Sequence, residues 1–251
     1  MSGHSHWATI KRKKGAADAK KGKIFTRIAR EIVIASREGG SDPEMNVRLE
    51  LAIDKAKAAN MPKDSIDRAI KRGTGEDKEG LDFEEILYEG YAPHGVALMI
   101  ECVTENRNRT VAELRHILSK AGGGMGDPGS VSWQFERMTY FAIPGDKYDF
   151  DTIFELAVEA GADDIKQDDN LIEIIGTPNR YQSIADHLSN ANIKPEDSGI
   201  RFLPKQEINL DTEKTIKVMR TIENLEELDD IQNIYSNLDI TEEAIQAMEN
   251  E

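Results

Sequence analysis

From Thr139 onward the hydrophobic period of the chain switches in a fixed order. Residues 139–143 read as a strand and 149–160 repeat at helical spacing. Residues 163–168 and 171–176 read as strands, 178–191 as a helix and about 193–203 as a strand. Short right-handed connections leave this β-α-β-β-α-β order few ways to pack, and the ferredoxin-like sandwich is the usual one. Asn170 with its acidic neighbours supplies a turn between the middle strands, and Pro178 opens the second helix. A similar alternation flanks this stretch. Strands near 83–90 and 95–104 and a helix over about 107–120 precede it; a strand near 206–210, a helix over 211–226 and a strand over 230–236 follow. The pattern therefore predicts an α/β domain at 132–204 inserted into another made from 81–131 and 205–251, with a linear three-domain order as the alternative.

Ahead of these units the spacing is helical. Ile24, Phe25, Ile28, Ala29, Ile32 and Ala35 recur every three or four residues, which predicts a helix over about 23–38 ended by Gly39 and Gly40. Lys23, Arg27, Arg30 and Arg37 fall on a stripe roughly 80° wide opposite that apolar face, and are expected to be exposed. Asp42 caps and Pro43 opens a second helix, with Val47, Leu51, Ala52, Ala56 and Ala59 inward. Pro62 opens a third, with Ile66, Ala69 and Ile70 inward. The polar, Gly-rich residues 73–80 read as a linker. The expected fold is α+β and multidomain: a basic arm and three-helix domain at 1–75, then two ferredoxin-like α/β domains, one inserted in the other.

Charge divides along the same boundary. Residues 1–75 carry 17 Lys/Arg against 9 Asp/Glu, a net of +8, whereas the remaining residues carry 15 against 38, a net of −23. The overall charge of −15 conceals a cationic segment on an acidic body. Lys11, Arg12, Lys13, Lys14, Lys20, Lys21 and Lys23 lie in a stretch almost without large apolar side chains, which predicts an arm that orders on a polyanion and releases its counterions. The alternative is a solubilising tail.

Other features exclude chemistry. No apolar run approaches the ~18 residues of a membrane-spanning helix, and residues 1–14 lack the apolar stretch of a secretory signal, so a cytoplasmic protein without membrane contact is expected. Cys102 is the one cysteine, which leaves no internal disulfide and no CxxC zinc pair; its apolar strand predicts an inert buried thiol. The five histidines are scattered without an HExxH spacing, and no nucleophile–base pair is apparent. No metal, cofactor or catalytic residue is expected, and the chain does not read as an enzyme. The glycines at 122–124, 126 and 129 follow a helix and lack the ending of a phosphate loop, so they read as a mobile connection, with a flexible loop lying against RNA backbone as the alternative. Val131, Trp133 and Phe135 alternate with polar residues, which reads as a strand core rather than a base-stacking platform.

Several strings resemble the YebC/PmpR family closely: Gly3-His4-Ser5-His6-Trp7-Ala8-Thr9-Ile10-Lys11, Lys13-Lys14-Gly15-Ala16-Ala17-Asp18-Ala19-Lys20, Arg37-Glu38-Gly39-Gly40, the run from Ala52 to Pro62 and Ala69-Ile70-Lys71-Arg72-Gly73-Thr74-Gly75. Asn106-Arg107-Asn108-Arg109-Thr110 and Asp229-Asp230-Ile231-Gln232-Asn233-Ile234-Tyr235 look like two more of its hallmarks. His6 and Arg12 stand where Lys and His are more usual. The resemblance spans nearly the whole chain. It implies one helical and two α/β domains and a cytoplasmic, non-enzymatic regulator, in bacteria a probable DNA-binding transcriptional regulator. The mitochondrial relatives resemble a translational activator of a cytochrome c oxidase subunit, and other bacterial members are linked to ribosomes and to elongation through proline-rich stretches.

Two partners follow from charge and resemblance together: duplex DNA, or ribosomal RNA in a ribosome-associated translation factor, with the acidic domains contacting the ribosome or other proteins. For either, the expected contacts are Lys11, Lys13, Lys14, Lys20, Lys23, Arg27 and Arg30. Arg107 and Arg109, beside the Asn106 cap, would serve as phosphate ligands or as inter-domain ion pairs.

Overall fold

In a computed structural model, the structure describes residues 18–76, 83–168 and 171–249. Helix α1 (Asp18–Gly39) packs on α2 (Val47–Ala58) and α3 (Lys63–Gly73) around Ile28, Ile32, Val33, Leu49, Ala52, Ala56 and Ile66. The second helix starts later than Asp42-Pro43 suggested. Those residues form a turn, and the capping residue is Asn46, whose side-chain oxygen accepts the Leu49 N–H at 3.1 Å. The Asn46 amide also donates to the carbonyls of Ala35 and Gly40, so one side chain closes α1 and opens α2.

Strands β1 (Glu84–Tyr91) and β2 (Ala97–Thr104) form an antiparallel hairpin, and α4 (Arg107–Ala121) follows. The short β3 (Gly124–Met125) adds to β1, and β8 (Ile231–Ser236) arrives from far along the chain to pair with β2, giving the sheet order β3-β1-β2-β8. The helices α4, α7 (Thr212–Glu226) and α8 (Glu242–Glu249) supply Leu114, Leu118, Val218, Met219, Ala244 and Ile245 to the core on one face. Residues 206–210 are not a strand: Ile208 makes one isolated parallel bridge to Leu238. The final helix, α8, was not anticipated.

Between β3 and α7 the chain builds a second sheet from β4 (Phe135–Pro144), β5 (Asp164–Asp168), β6 (Leu171–Gly176) and β7 (Asp197–Pro204), in the order β5-β6-β4-β7 with antiparallel neighbours. With α5 (Phe150–Ala160) and α6 (Tyr181–Asn190) this is the ferredoxin-like order. Its core holds Phe141, Ile143, Ile153, Ile172, Ile174, Ile184 and Leu188, with Phe141 stacked on Tyr181 at 4.9 Å. The proposed turn at Asn170 lies outside the described residues. The chain leaves for the second sheet and returns from it at neighbouring points, where the Lys205 N–H donates to the Gln134 carbonyl at 2.8 Å. The sheets also meet through Phe202 and Tyr235, edge to face at 5.6 Å, beside Ala97, Met99, Val131 and Phe135.

Candidate nucleic-acid interface

Positions 23, 27 and 30 share one side of α1, as the helical period requires. That side faces the acidic body rather than solvent. The Lys23 ammonium pairs with the Glu227 carboxylate and donates to the Glu227 carbonyl at 3.1 Å, and Arg27 donates to the Glu226 carbonyl. Arg30 donates to the Val103 carbonyl at 3.1 Å, to Asp230 Oδ1 at 3.0 Å and to the Asp229 carbonyl. Glu226 ends α7, where the last carbonyls lack helical partners and carry the negative end of the helix dipole. The cations of α1 therefore cap α7. The expectation of an exposed stripe is corrected in this respect.

Asp230 is the centre of this contact. It is 2% exposed, and Arg109 Nη2 lies 3.0 and 2.9 Å from its two oxygens. The hydroxyls of Thr104 and Thr110 lie 3.0 and 2.8 Å from Oδ2. Burial pushes its carboxyl up, but the bonds from Arg109, Thr110 and Thr104 and the charge of Arg30 outweigh burial and hold it below the ordinary value. Arg109 is in place because Asn106 caps α4 and accepts the Arg109 N–H at 3.1 Å. The two distant strings 106–110 and 229–235 thus meet at one carboxylate.

Phe83 anchors the same junction. The guanidinium groups of Arg30 and Arg72 lie over its ring, at 5.3 and 4.9 Å from the centroid, and its carbonyl accepts from Arg37 at 2.6 Å. Arg48 bridges Glu38 and Glu85, both at 2.7 Å. Several cations of the helical region are thereby engaged in holding it together or against the body.

Lys11, Lys13 and Lys14 lie outside the described residues, and Lys20 is described only as part of the first turns of α1. Arg107 is exposed at the start of α4. The structure brings Arg30 and Arg109 together on Asp230. Asp230 stands in an acidic run and Phe83 close to the Gly-rich linker, so neither carries a local signal of this role.

The Gly-rich connection is a second built feature. The Glu89 carboxylate accepts backbone N–H groups from Gly129, Val131 and Ser132 at 2.7, 2.6 and 2.9 Å. Burial raises the Glu89 carboxyl, and these three bonds bring it below its ordinary value. A side chain at Gly123 would meet the Tyr91 carbonyl, and one at Gly126 the Ser130 hydroxyl, so these glycines permit close approach. The expected mobile connection is instead a pinned loop. Ser132–Gln134 form a 3-10 turn rather than a strand, and Trp133 is 67% exposed while Val131 and Phe135 are buried. Cys102 is buried in β2, with its thiol pushed up to about 12 first by desolvation and then by Asp230 and Glu101. Among the described residues no group of three or more His, Cys, Asp or Glu is placed to hold a metal, and no helix is long and apolar enough to cross a membrane.

Fold and interface together define a three-part architecture: a cationic helical unit clamped by ion pairs onto two acidic α/β units. The chain belongs to the TACO1/YebC family: residues 5–76 match the description "TACO1/YebC protein N-terminal domain" and residues 83–238 match "TACO1/YebC second and third domain". It is 51% identical over 249 residues to a "Probable transcriptional regulatory protein" of Acidithiobacillus ferrooxidans, covering 99% of each chain. A relative of the same name from Syntrophus aciditrophicus is 49% identical over 248 residues, again covering 99% of each. A crystal structure of a conserved hypothetical protein from Aquifex aeolicus, 42% identical, superposes with a TM-score of 0.82 over 90% of this chain and 93% of that one. The relatives' names support a regulatory role.

Proposed function

We propose that the chain is a cytoplasmic regulator of transcription that binds duplex DNA through its basic N-terminal segment and acts by binding rather than by catalysis. The observation that carries this reading is the charge division, +8 in residues 1–75 against −23 in the rest. Lys11, Lys13, Lys14 and Lys20 supply the phosphate contacts, and exposed Arg107 adds one. Lys23, Arg27, Arg30 and Arg109 belong to the same cationic field, but their partners at 226–230 commit them to the junction with the body. The acidic units disfavour a duplex, which biases duplex binding toward the helical end, and much of their surface is left for partner proteins.

The test is cross-linking in living cells followed by recovery of the attached nucleic acid. Duplex DNA clustered at a few promoters is expected. Recovery of ribosomal and messenger RNA in its place overturns the transcriptional reading and makes the chain a ribosome-associated factor.

A further inference from the structure

We propose that Trp133 is a stacking platform for one unpaired nucleobase. The proposal rests on the nucleic-acid reading above and adds a second contact point, remote in sequence from the arm, that takes a base rather than a phosphate.

A tryptophan 67% exposed leaves a large apolar surface in water, and the fold holds it there. Its neighbours Val131 and Phe135 are buried in the core shared by the two sheets. The Trp133 Nε1–H donates to the Ser130 carbonyl at 3.0 Å, and the Tyr91 hydroxyl donates to the same oxygen at 3.1 Å. Beneath the turn, Glu89 fixes the backbone at Gly129, Val131 and Ser132. The side chain is therefore oriented before any ligand arrives, which removes much of the ordering cost of binding.

The chemistry left on offer is narrow. With its N–H engaged, the indole presents π surface and no donor, so recognition there is by stacking. Stacking a base on an aromatic side chain contributes about 1–3 kcal/mol with little sequence preference. Ser130, which holds the ring, and Ser132 and Gln134, which flank Trp133 in sequence, are polar, unlike the apolar residues at the centre of a protein interface. A single base needs only one ring. The Lys205 N–H donates to the Gln134 carbonyl at 2.8 Å, so an exposed lysine is joined through its backbone to the turn that carries Trp133 and adds a cation to this region.

Trp7→Phe leaves Trp133 as the only tryptophan, because the chain has 2. In that background, single-stranded DNA, single-stranded RNA and duplex DNA of matched sequence are titrated, reading indole emission and the anisotropy of an end label together. Saturable quenching by single strands is expected, with far less by duplex, and the stronger of the DNA and RNA responses identifies the source of the base. Trp133→Ala should lower single-strand affinity roughly five- to a hundredfold, while Trp133→Phe, which keeps a ring but loses the bond to Ser130, retains most of it. Retained label binding with unchanged emission, or unchanged affinity in a folded Trp133→Ala variant, overturns the platform alone. Equal quenching by duplex overturns the requirement for an unpaired base. No binding to any of the three overturns the platform together with the nucleic-acid reading.

Discussion

Arg109 Nη2 reaches both carboxylate oxygens of Asp230, at 3.0 and 2.9 Å, across a sequence separation of 121 residues. The same carboxylate accepts from Arg30 of the helical region, so one buried charge joins all three segments of the junction. Removing it takes the shared anion from both guanidinium groups, leaving Arg30 only its carbonyl acceptors and Arg109 the more distant Glu105. Asp230→Ala should cost about 3–5 kcal/mol in urea denaturation. Arg30→Ala and Arg109→Ala should combine non-additively, because both act on one partner. Additive effects would mean that the carboxylate does not couple them.

Acid sensitivity follows from the same group. The Asp230 carboxyl lies below its ordinary value when folded, so its contribution is complete above the unfolded value, about pH 3.9, and is lost as pH falls through the folded value. Glu101 has the opposite sign: burial raises it against bonds from Asn233 and Tyr235, so its charging costs stability as pH rises from the unfolded to the folded value. Urea midpoints from pH 3 to 7 should show a shallower acid limb in Asp230→Asn than in the unaltered chain. Glu101→Gln should remove the opposing decline.

The loop beneath Trp133 depends on Glu89. Glu89→Ala removes the acceptor of three backbone N–H groups and should cost roughly 2–4 kcal/mol. Amide exchange at Gly129, Val131 and Ser132 should accelerate, and acrylamide should quench Trp133 more readily in the Trp7→Phe background. Unchanged exchange there would show that the carboxylate does not hold the loop.

Arm and docked helix should separate in their response to salt. Changing Lys13 and Lys14 to Ala should flatten the log–log salt dependence of DNA binding by up to about two units and leave the melting temperature in place. Arg30→Ala should do the reverse, lowering the melting temperature with little change in slope. If the slopes respond alike, the docked row also contacts phosphate.

Cys102 gives a probe of global opening. Its thiol is buried and raised to about 12, so alkylation of the native protein near neutral pH should be slow and should accelerate in urea in step with unfolding. Rapid alkylation of the folded chain would place the sulfur nearer the surface.

Much of the architecture was legible because periodicity is local. The second sheet shows its strand–helix alternation between 139 and 203 without reference to anything else, and α4 carries its own cap in Asn106. What escaped depends on partners far away. Asp42-Pro43 has the composition of a helix start, but Asn46 wins because its amide also binds Ala35 and Gly40 at the end of α1. Trp133 looks like a strand residue by alternation alone, and only the anchoring of its loop on Glu89 turns it outward. The stripe on α1 was visible as a stripe, but no local signal says that the end of α7 would cover it. Asp230 was one acid among several until Arg30 and Arg109 converged on it.

The hydrogen bond between Lys205 and Gln134 gives the long excursion through the second sheet an entropic meaning. Leu98 pairs with Ser236 across most of the chain, a separation that should make closure of the first sheet slow. Once the second sheet has gathered its own core, its entry and exit points are held side by side. The intervening polymer then behaves as a short tether, and β8 finds β2 as though it followed β3 by a modest connection. This topology predicts an order of assembly, inner unit first, outer unit second, and the ion-paired helices last, when residues 226–230 are in place to receive them.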